Sequence, residues 1–125
     1  NGATHNRTRT RMPSVSAPNW ATIITGMEPE KSGVYNNDWV PSWSYPPNTT
    51  VFQMPPATGR GRIPTPIWSI IKQQNKDMTT AVFHSWPWIE YLVNRDVDFH
   101  YNGKENDPMV MERALYHIRN NMTNN

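Results

Sequence analysis

The chain has no cysteine, which excludes a disulfide framework and thiolate metal sites within it. It has no apolar run near the roughly 18–20 residues that span a bilayer, and no signal-peptide pattern. One-sided charge is missing too. The formal net charge is +2, too weak to draw nucleic acid or an anionic membrane. Hydrophobic residues are scarce at 36%, against about 45–50% in ordinary soluble domains when glycine is counted with them. Twelve prolines and many asparagines keep much of the chain out of regular helix or strand. Aromatic residues, by contrast, make up 11%, with six tryptophans, so a core is intended. At 125 residues the length suits one small domain. A slice of a larger α/β domain is the favoured expectation over a loop-rich small one. Asn1-Gly2-Ala3 carries no initiator Met, and the sequence stops just after an amphipathic run.

The most informative stretch is Pro13-Ser14-Val15-Ser16-Ala17-Pro18-Asn19-Trp20, followed by Thr25-Gly26, Pro29 and Gly33. It reads as a strand that ends at a hydroxyl residue and turns into a short apolar helix. Ser16 would then stand at the mouth of a helix N-terminus, where unpaired N–H groups favour an anion. A serine so placed can attack phosphate or sulfate esters once its pKa is lowered. As a plain structural residue, the same serine would cap the helix or close a turn.

Around this motif, Arg7 to Met12 alternates and predicts a short strand with its arginines on one face. Asn19 to Met27 predicts a helix that buries Trp20, Ile23, Ile24 and Met27 and stops at Gly26. The segment from Trp39 to Pro66 is rich in proline and aromatics, with Trp39, Trp43, Tyr45 and Phe52 expected to pack on the body. Pro66 opens a second helix to about Asn75 with Ile67, Ile70 and Ile71 on one side. Met78 to Phe83 reads as a buried strand of a parallel sheet. Trp86-Pro87-Trp88 is a turn, and Asp96 to Tyr101 a short edge strand ended by Asn102-Gly103. A last helix from Asp107 to Asn121 has Asp107 as its cap, Pro108 in its first turn, and Met111, Ala114, Leu115 and Ile118 at helical spacing.

Several familiar constellations are missing. No Gly-x-Ser-x-Gly elbow is present, and His5, His84, His100 and His117 have no local relation to Ser16. Asp98 and His100 read as a surface pair, and His117 as solvated or half-buried. Gly59-Arg60-Gly61 lacks the Lys-Ser/Thr of a phosphate loop. Three sequons, at Asn6, Asn48 and Asn121, suggest glycosylation, Asn48 foremost.

The order Pro-Ser-x-Ser-x-Pro-Asn, Thr-Gly, Pro-x-x-x-Gly-Val and then Asn resembles the nucleotide pyrophosphatase/phosphodiesterase family of the alkaline phosphatase superfamily. Members carry Pro-Thr-x-Thr-Phe-Pro-Asn-His and Thr-Gly-x-x-Pro-x-x-His-Gly-Ile. Further likeness lies in Thr65-Pro66-Ile67-Trp68, Ala81-Val82-Phe83, and Tyr101-Asn102 ahead of the helix that holds Arg113. The resemblance implies an α/β chain, a fragment of a three-layer alkaline-phosphatase-like fold with a mostly parallel central sheet. Its parts would be a nucleophile segment over 13–37, a Pro/Trp-rich loop over 38–66, a helix–strand unit over 67–84, and an edge strand and helix over 85–125. It also implies Ser16 as nucleophile and metal ligand, and Asn19 as the amide that binds a phosphate oxygen. Two divalent ions, zinc as the expectation, would take their other ligands from outside the segment.

The activity so implied is metal-dependent hydrolysis of phosphodiester or pyrophosphate bonds through a phospho-serine, in the parent protein rather than in the isolated fragment. The substrate would be a small phosphate ester or nucleotide, with no nucleic acid as structural partner. The setting would be secreted or membrane-anchored, with an extracellular or luminal catalytic domain. Trp20 and Ser32 stand where the family often has His, which weakens assignment to the nucleotide-specific branch. A second class of reading is a pseudoenzyme or binding module whose Trp-rich loop stacks on sugar or base rings. A third, RNA binding by Arg7, Arg9, Arg11, Arg60 and Arg62, fits the small net charge poorly.

Overall fold

A computed structural model describes residues 2–39, 65–93 and 95–122, with the side chains of 121 and 122 left aside. Most of the expected loop, including Trp43, Tyr45, Asn48, Phe52, Arg60 and Arg62, lies outside the described residues. The chain divides into two compact units, Asn1–Pro64 and Thr65–Asn125. Both helix and strand are present, and the strands pair in parallel. Among the described residues no helix is long and apolar enough to cross a membrane.

In the first unit, helix α1 (Ser16–Thr25) begins three residues earlier than the periodicity suggests, with extended Val15 at its cap position. It stops at Gly26, whose φ of 69° is left-handed and whose N–H returns to the Thr22 carbonyl at 2.8 Å. A side chain at that φ is strained, which is why glycine ends the helix there. A single turn, α2 (Pro29–Ser32), follows and is closed in the same way by Gly33. α2 lies against α1.

The buried face of α1 is Ala17, Pro18, Ala21, Ile24 and Thr25; of the large residues expected there, Ile24 is buried but Trp20 and Ile23 are not. Ile23 is 68% exposed and Trp20 46%. Small side chains let another backbone come close, whereas the large ones at Trp20 and Ile23 occupy the opposite side. Thr25 satisfies its buried hydroxyl by donating to the Ala21 carbonyl and accepting the Met27 N–H. Trp39 is buried, as the packing reading of the aromatics requires.

The strand expected over 7–12 is absent. No strand lies in the first unit among the described residues, so the alternating pattern has no ladder to join. Side-chain hydrogen bonds from Asn19 hold the end of this segment instead.

In the second unit, helix α3 (Ile67–Gln74) starts after Pro66 and buries Trp68 and Ser69. Ile67 and Ile70 are exposed and Ile71 is half-buried. Strand β1 (Ala81–His84) pairs in parallel with β2 (Phe99–Asn102), in the register Ala81↔Phe99 to His84↔Asn102. Both strands are shorter than the sequence suggests and begin about three residues later. The crossover between them holds a 3-10 segment, Pro87–Leu92, which buries Trp88, Ile89 and Leu92.

Alternation along the pair puts Ala81, Phe83, Phe99 and Tyr101 on one face and Val82, His84, His100 and Asn102 on the other. Helix α4 (Asp107–Met122) packs against both strands. His117 stacks on Phe99 at 4.3 Å and lies 5.6 Å from Phe83, while Arg113 sits over the Tyr101 ring. The inward face of α4 is therefore Val110, Ala114 and His117; Met111, Leu115 and Ile118 are exposed. The cap is Asn106 rather than Asp107, since its Oδ1 accepts the Met109 N–H at 3.1 Å. Asp107 instead supplies first-turn negative charge.

Two devices tie the unit together. Asp98 pairs with Lys72 at 2.6 Å and accepts from the N–H and hydroxyl of Thr80, so it is not His100's partner. The Lys72 ammonium and then the Thr80 N–H hold its pKa down from 3.8 to about 2. This link is fully present above about pH 4 and lost as pH falls toward 2. Thermal melts should therefore show an acid loss of stability in that window that Asp98→Asn removes. The second device is Gly103. A Cβ there would meet Val110 Cγ2 at 2.3 Å and the Asn106 carbonyl oxygen at 3.1 Å. Gly103→Ala should cost about 1–3 kcal/mol in denaturant unfolding, the usual range for overpacking.

Candidate active site

Ser16 is the first residue of α1 and is exposed, so its hydroxyl stands at the helix entrance as expected. The backbone donors around it are fewer than a bare N-terminus would offer. Pro18 has no N–H, and the Asn19 N–H reaches the Val15 carbonyl at 3.4 Å. The Ala17 N–H donates to Asn37 Oδ1 at 2.8 Å. An anion held here would rely on side-chain donors rather than on the helix end alone.

Asn37 comes from the turn that follows α2, and its carbonyl oxygen faces the residue after Ser16. Such an amide commits its oxygen to the protein and keeps two N–H donors on its nitrogen. In the sequence Asn37 sits in the run Tyr35-Asn36-Asn37 after Gly33-Val34, with nothing local to mark it. The missing signal was the contact between residues twenty positions apart, which no local pattern carries.

Asn19 is placed differently from the expectation. Its Oδ1 accepts the Arg11 N–H at 2.9 Å. Its Nδ2 donates to the Val15 carbonyl at 2.9 Å and the Pro13 carbonyl at 3.2 Å, with the Arg11 carbonyl farther away at 3.4 Å. Both ends of the amide are thus committed to the segment 11–15 that leads into Ser16. The Met12–Pro13 peptide bond within that segment is cis.

Arg11 pairs with Glu28 at 2.6 Å across an exposed surface, so much of its charge is answered locally. Beside this pair lies a shallow cavity of about 260 Å³, lined by Thr10, Arg11, Met12, Glu28, Pro29 and Glu30. Its two carboxylates make it a poor seat for a phosphate. Arg7 and Arg9 are exposed.

Among the described residues no group of three or more His, Asp or Glu is placed to hold a metal ion. Ser16 contributes one hydroxyl, and a two-ion centre needs carboxylates and imidazoles that this donor set does not supply. The described residues therefore do not by themselves fit such a centre.

Comparison with known proteins bears on the whole chain. The sequence model of the family described as type I phosphodiesterase / nucleotide pyrophosphatase matches residues 1–122. No curated protein and no solved structure gives a significant match. The matched span includes Ser16, Asn19 and Asn37 and both structural units. The chain belongs to the type I phosphodiesterase/nucleotide pyrophosphatase family, whose hydrolases act on small phosphate-ester or nucleotide substrates.

Proposed function

We propose that this chain carries the nucleophile of a phosphodiester or pyrophosphate hydrolase, and that Ser16 is that nucleophile. The observation that carries the reading is the exposed Ser16 hydroxyl at the start of α1, buttressed by Asn19 on one side and Asn37 on the other. These bonds hold the backbone on either side of Ser16, at Val15 and Ala17, so the residue loses little freedom when it meets an electrophile.

In the reaction, Ser16 Oγ attacks phosphorus, an Oγ–P bond forms, and the bond from phosphorus to the leaving oxygen breaks. The serine proton departs and the leaving oxygen gains one. Water then cleaves the phospho-serine and restores the hydroxyl. Charge on the non-bridging oxygens needs donors already in place. Asn37 Nδ2 is suited to this, because its partner Oδ1 is anchored on the Ala17 N–H. Asn19 is better read as the clamp that sets the serine's approach than as a direct phosphate ligand. Two divalent ions, zinc as the expectation, remain part of the proposal, with Ser16 as the one ligand here and the others elsewhere in the protein. When bound, such ions would lower the hydroxyl pKa and offset charge on the attacking and leaving oxygens.

The wider fold proposed is the three-layer, mostly parallel α/β architecture, with these residues as one part and inactive alone. A secreted or membrane-anchored setting with an extracellular or luminal catalytic domain goes with it, supported by the sequon at exposed Asn6. Which ester is cleaved depends on residues that contact the leaving group.

Three substitutions in the intact protein separate these roles. Ser16→Ala should lower kcat/KM by about 10^4-fold or more without changing the thermal midpoint. Asn37→Ala should lower kcat by about 10²–10³-fold, as for loss of one oxyanion donor. Asn19→Ala should instead lower stability by about 1–2 kcal/mol, with activity falling alongside it. An Asn19→Ala protein of normal stability but lost kcat would return Asn19 to the phosphate.

A further inference from the structure

The phosphate reading makes no use of the polar face of the strand pair. His84, the last residue of β1, is buried, and its Nε2 lies 2.8 Å from Nε2 of His100 on β2. The ring centroids are 5.0 Å apart and the planes differ by 17°. The centroid distance exceeds the nitrogen distance by about one ring's width. The two imidazoles therefore meet end to end and nearly coplanar, nitrogen to nitrogen, not face to face.

Their tautomers follow from the partners. His84 Nδ1 lies 2.9 Å from the Trp86 carbonyl oxygen, which can only accept, so Nδ1 carries the proton. Neutral His84 then offers a lone pair at Nε2, and His100 must be the Nε2–H donor. This end-to-end line suits a proton. A tetrahedral metal ion would need the two lone pairs to converge at an angle.

We infer that His84 and His100 form an acid-labile clamp across the parallel strands, closed while one proton lies between their Nε2 atoms. A proton added at His84 Nε2 takes the lone pair that closes the bond, sets two N–H groups head to head, and opens the clamp.

The surroundings act on His84 from several elements. Burial lowers the pKa of His84 below 6.5, the Trp86 carbonyl and Glu90 raise it, and His100 lowers it. Glu90, on the 3-10 segment, is held at 2.9 Å by Asn102 Nδ2, next to His84 in the register. Asp98, ahead of His100 on its strand, is answered by Lys72 of α3. From α4, Arg113 and His117 lie on the opposite face, over Tyr101 and Phe99. The local effect of opening is set by the backbone. The His84 carbonyl accepts the Gly103 N–H at 2.8 Å, and the Ser85 carbonyl accepts the Glu105 N–H at 2.7 Å. Release of the clamp would free the C-terminal end of β1 and the turn that leads into α4. Because the folded pKa of His84 is depressed, its contribution is full above pH 6.5 and is lost as pH falls below it.

The test is nitrogen-15 NMR of the histidine rings in the intact protein between pH 8 and 5, with EDTA present. At pH 8 the expected pattern is Nδ1–H for His84 and Nε2–H for His100. On acidification His84 should titrate only below 6.5, together with loss of hydrogen-exchange protection at the Gly103 amide. His100→Ala should move the His84 midpoint upward. An Nε2–H tautomer at His84 at pH 8, or protonation of His84 with the Gly103 amide still protected, would overturn the clamp. The tautomer measurement on the unmodified protein decides the matter even if His100→Ala fails to fold.

Discussion

The Asn19 side chain holds the part of the structure on which the candidate chemistry depends. One primary amide, in the first turn of α1, is bonded to backbone groups of Arg11, Pro13 and Val15. Residues 8–11 have neither helix nor strand of their own. Without those bonds, nothing periodic would fix the chain that enters Ser16. The helix has no side-chain cap at Val15, so the usual hydroxyl-to-backbone contact at a helix start is missing. Asn37 does that work from a distance, since its oxygen takes the Ala17 N–H. The serine hydroxyl is thereby spared a capping duty. A structural serine at this position would be expected to spend its oxygen on the helix.

The second unit is held by a different balance. Aromatic rings of β1 and β2 meet His117 on one face, while the other face carries two histidines and an asparagine. Placing polar side chains there costs desolvation unless each finds a partner. His84 finds two, Trp86 and His100, and Asn102 finds Glu90. The strand pair is thus polar and specific on one side and apolar on the other. Close approach at Gly103 sets how tightly α4 can sit on it.

Much of this organisation was legible in the residues themselves. The first helix, its glycine stop, the α3–β1 succession, the end of β2 at Asn102 and the final helix all follow from local chemistry. So does the position of Ser16 at a helix start. Most of the misreadings concern which side of an element faces its neighbours. Trp20 and Ile23 form as good an apolar stripe as Ala17 and Ala21, yet the small residues are the ones buried. His117, expected to be solvated or half-buried, is half-buried, with Phe83 and Phe99 of the strands beneath it. The alternation over 7–12 predicts a strand, but a strand also needs a partner. Asn37 shows a similar limit within the site, because its contact with Ala17, twenty positions away, is carried by no local pattern.

The central claim is that Ser16 becomes covalently phosphorylated during turnover. The direct measurement is acid quenching of the intact protein with a phosphodiester or nucleotide substrate, then tryptic mapping by mass spectrometry. Cleavage after Arg11 and Lys31 releases one peptide that holds Ser14, Ser16, Thr22 and Thr25, and fragmentation tells them apart. The account predicts phosphate on Ser16 that appears within a turnover and disappears as substrate is exhausted. Phosphate on another residue, or a burst of product with Ser16 unmodified, would contradict it.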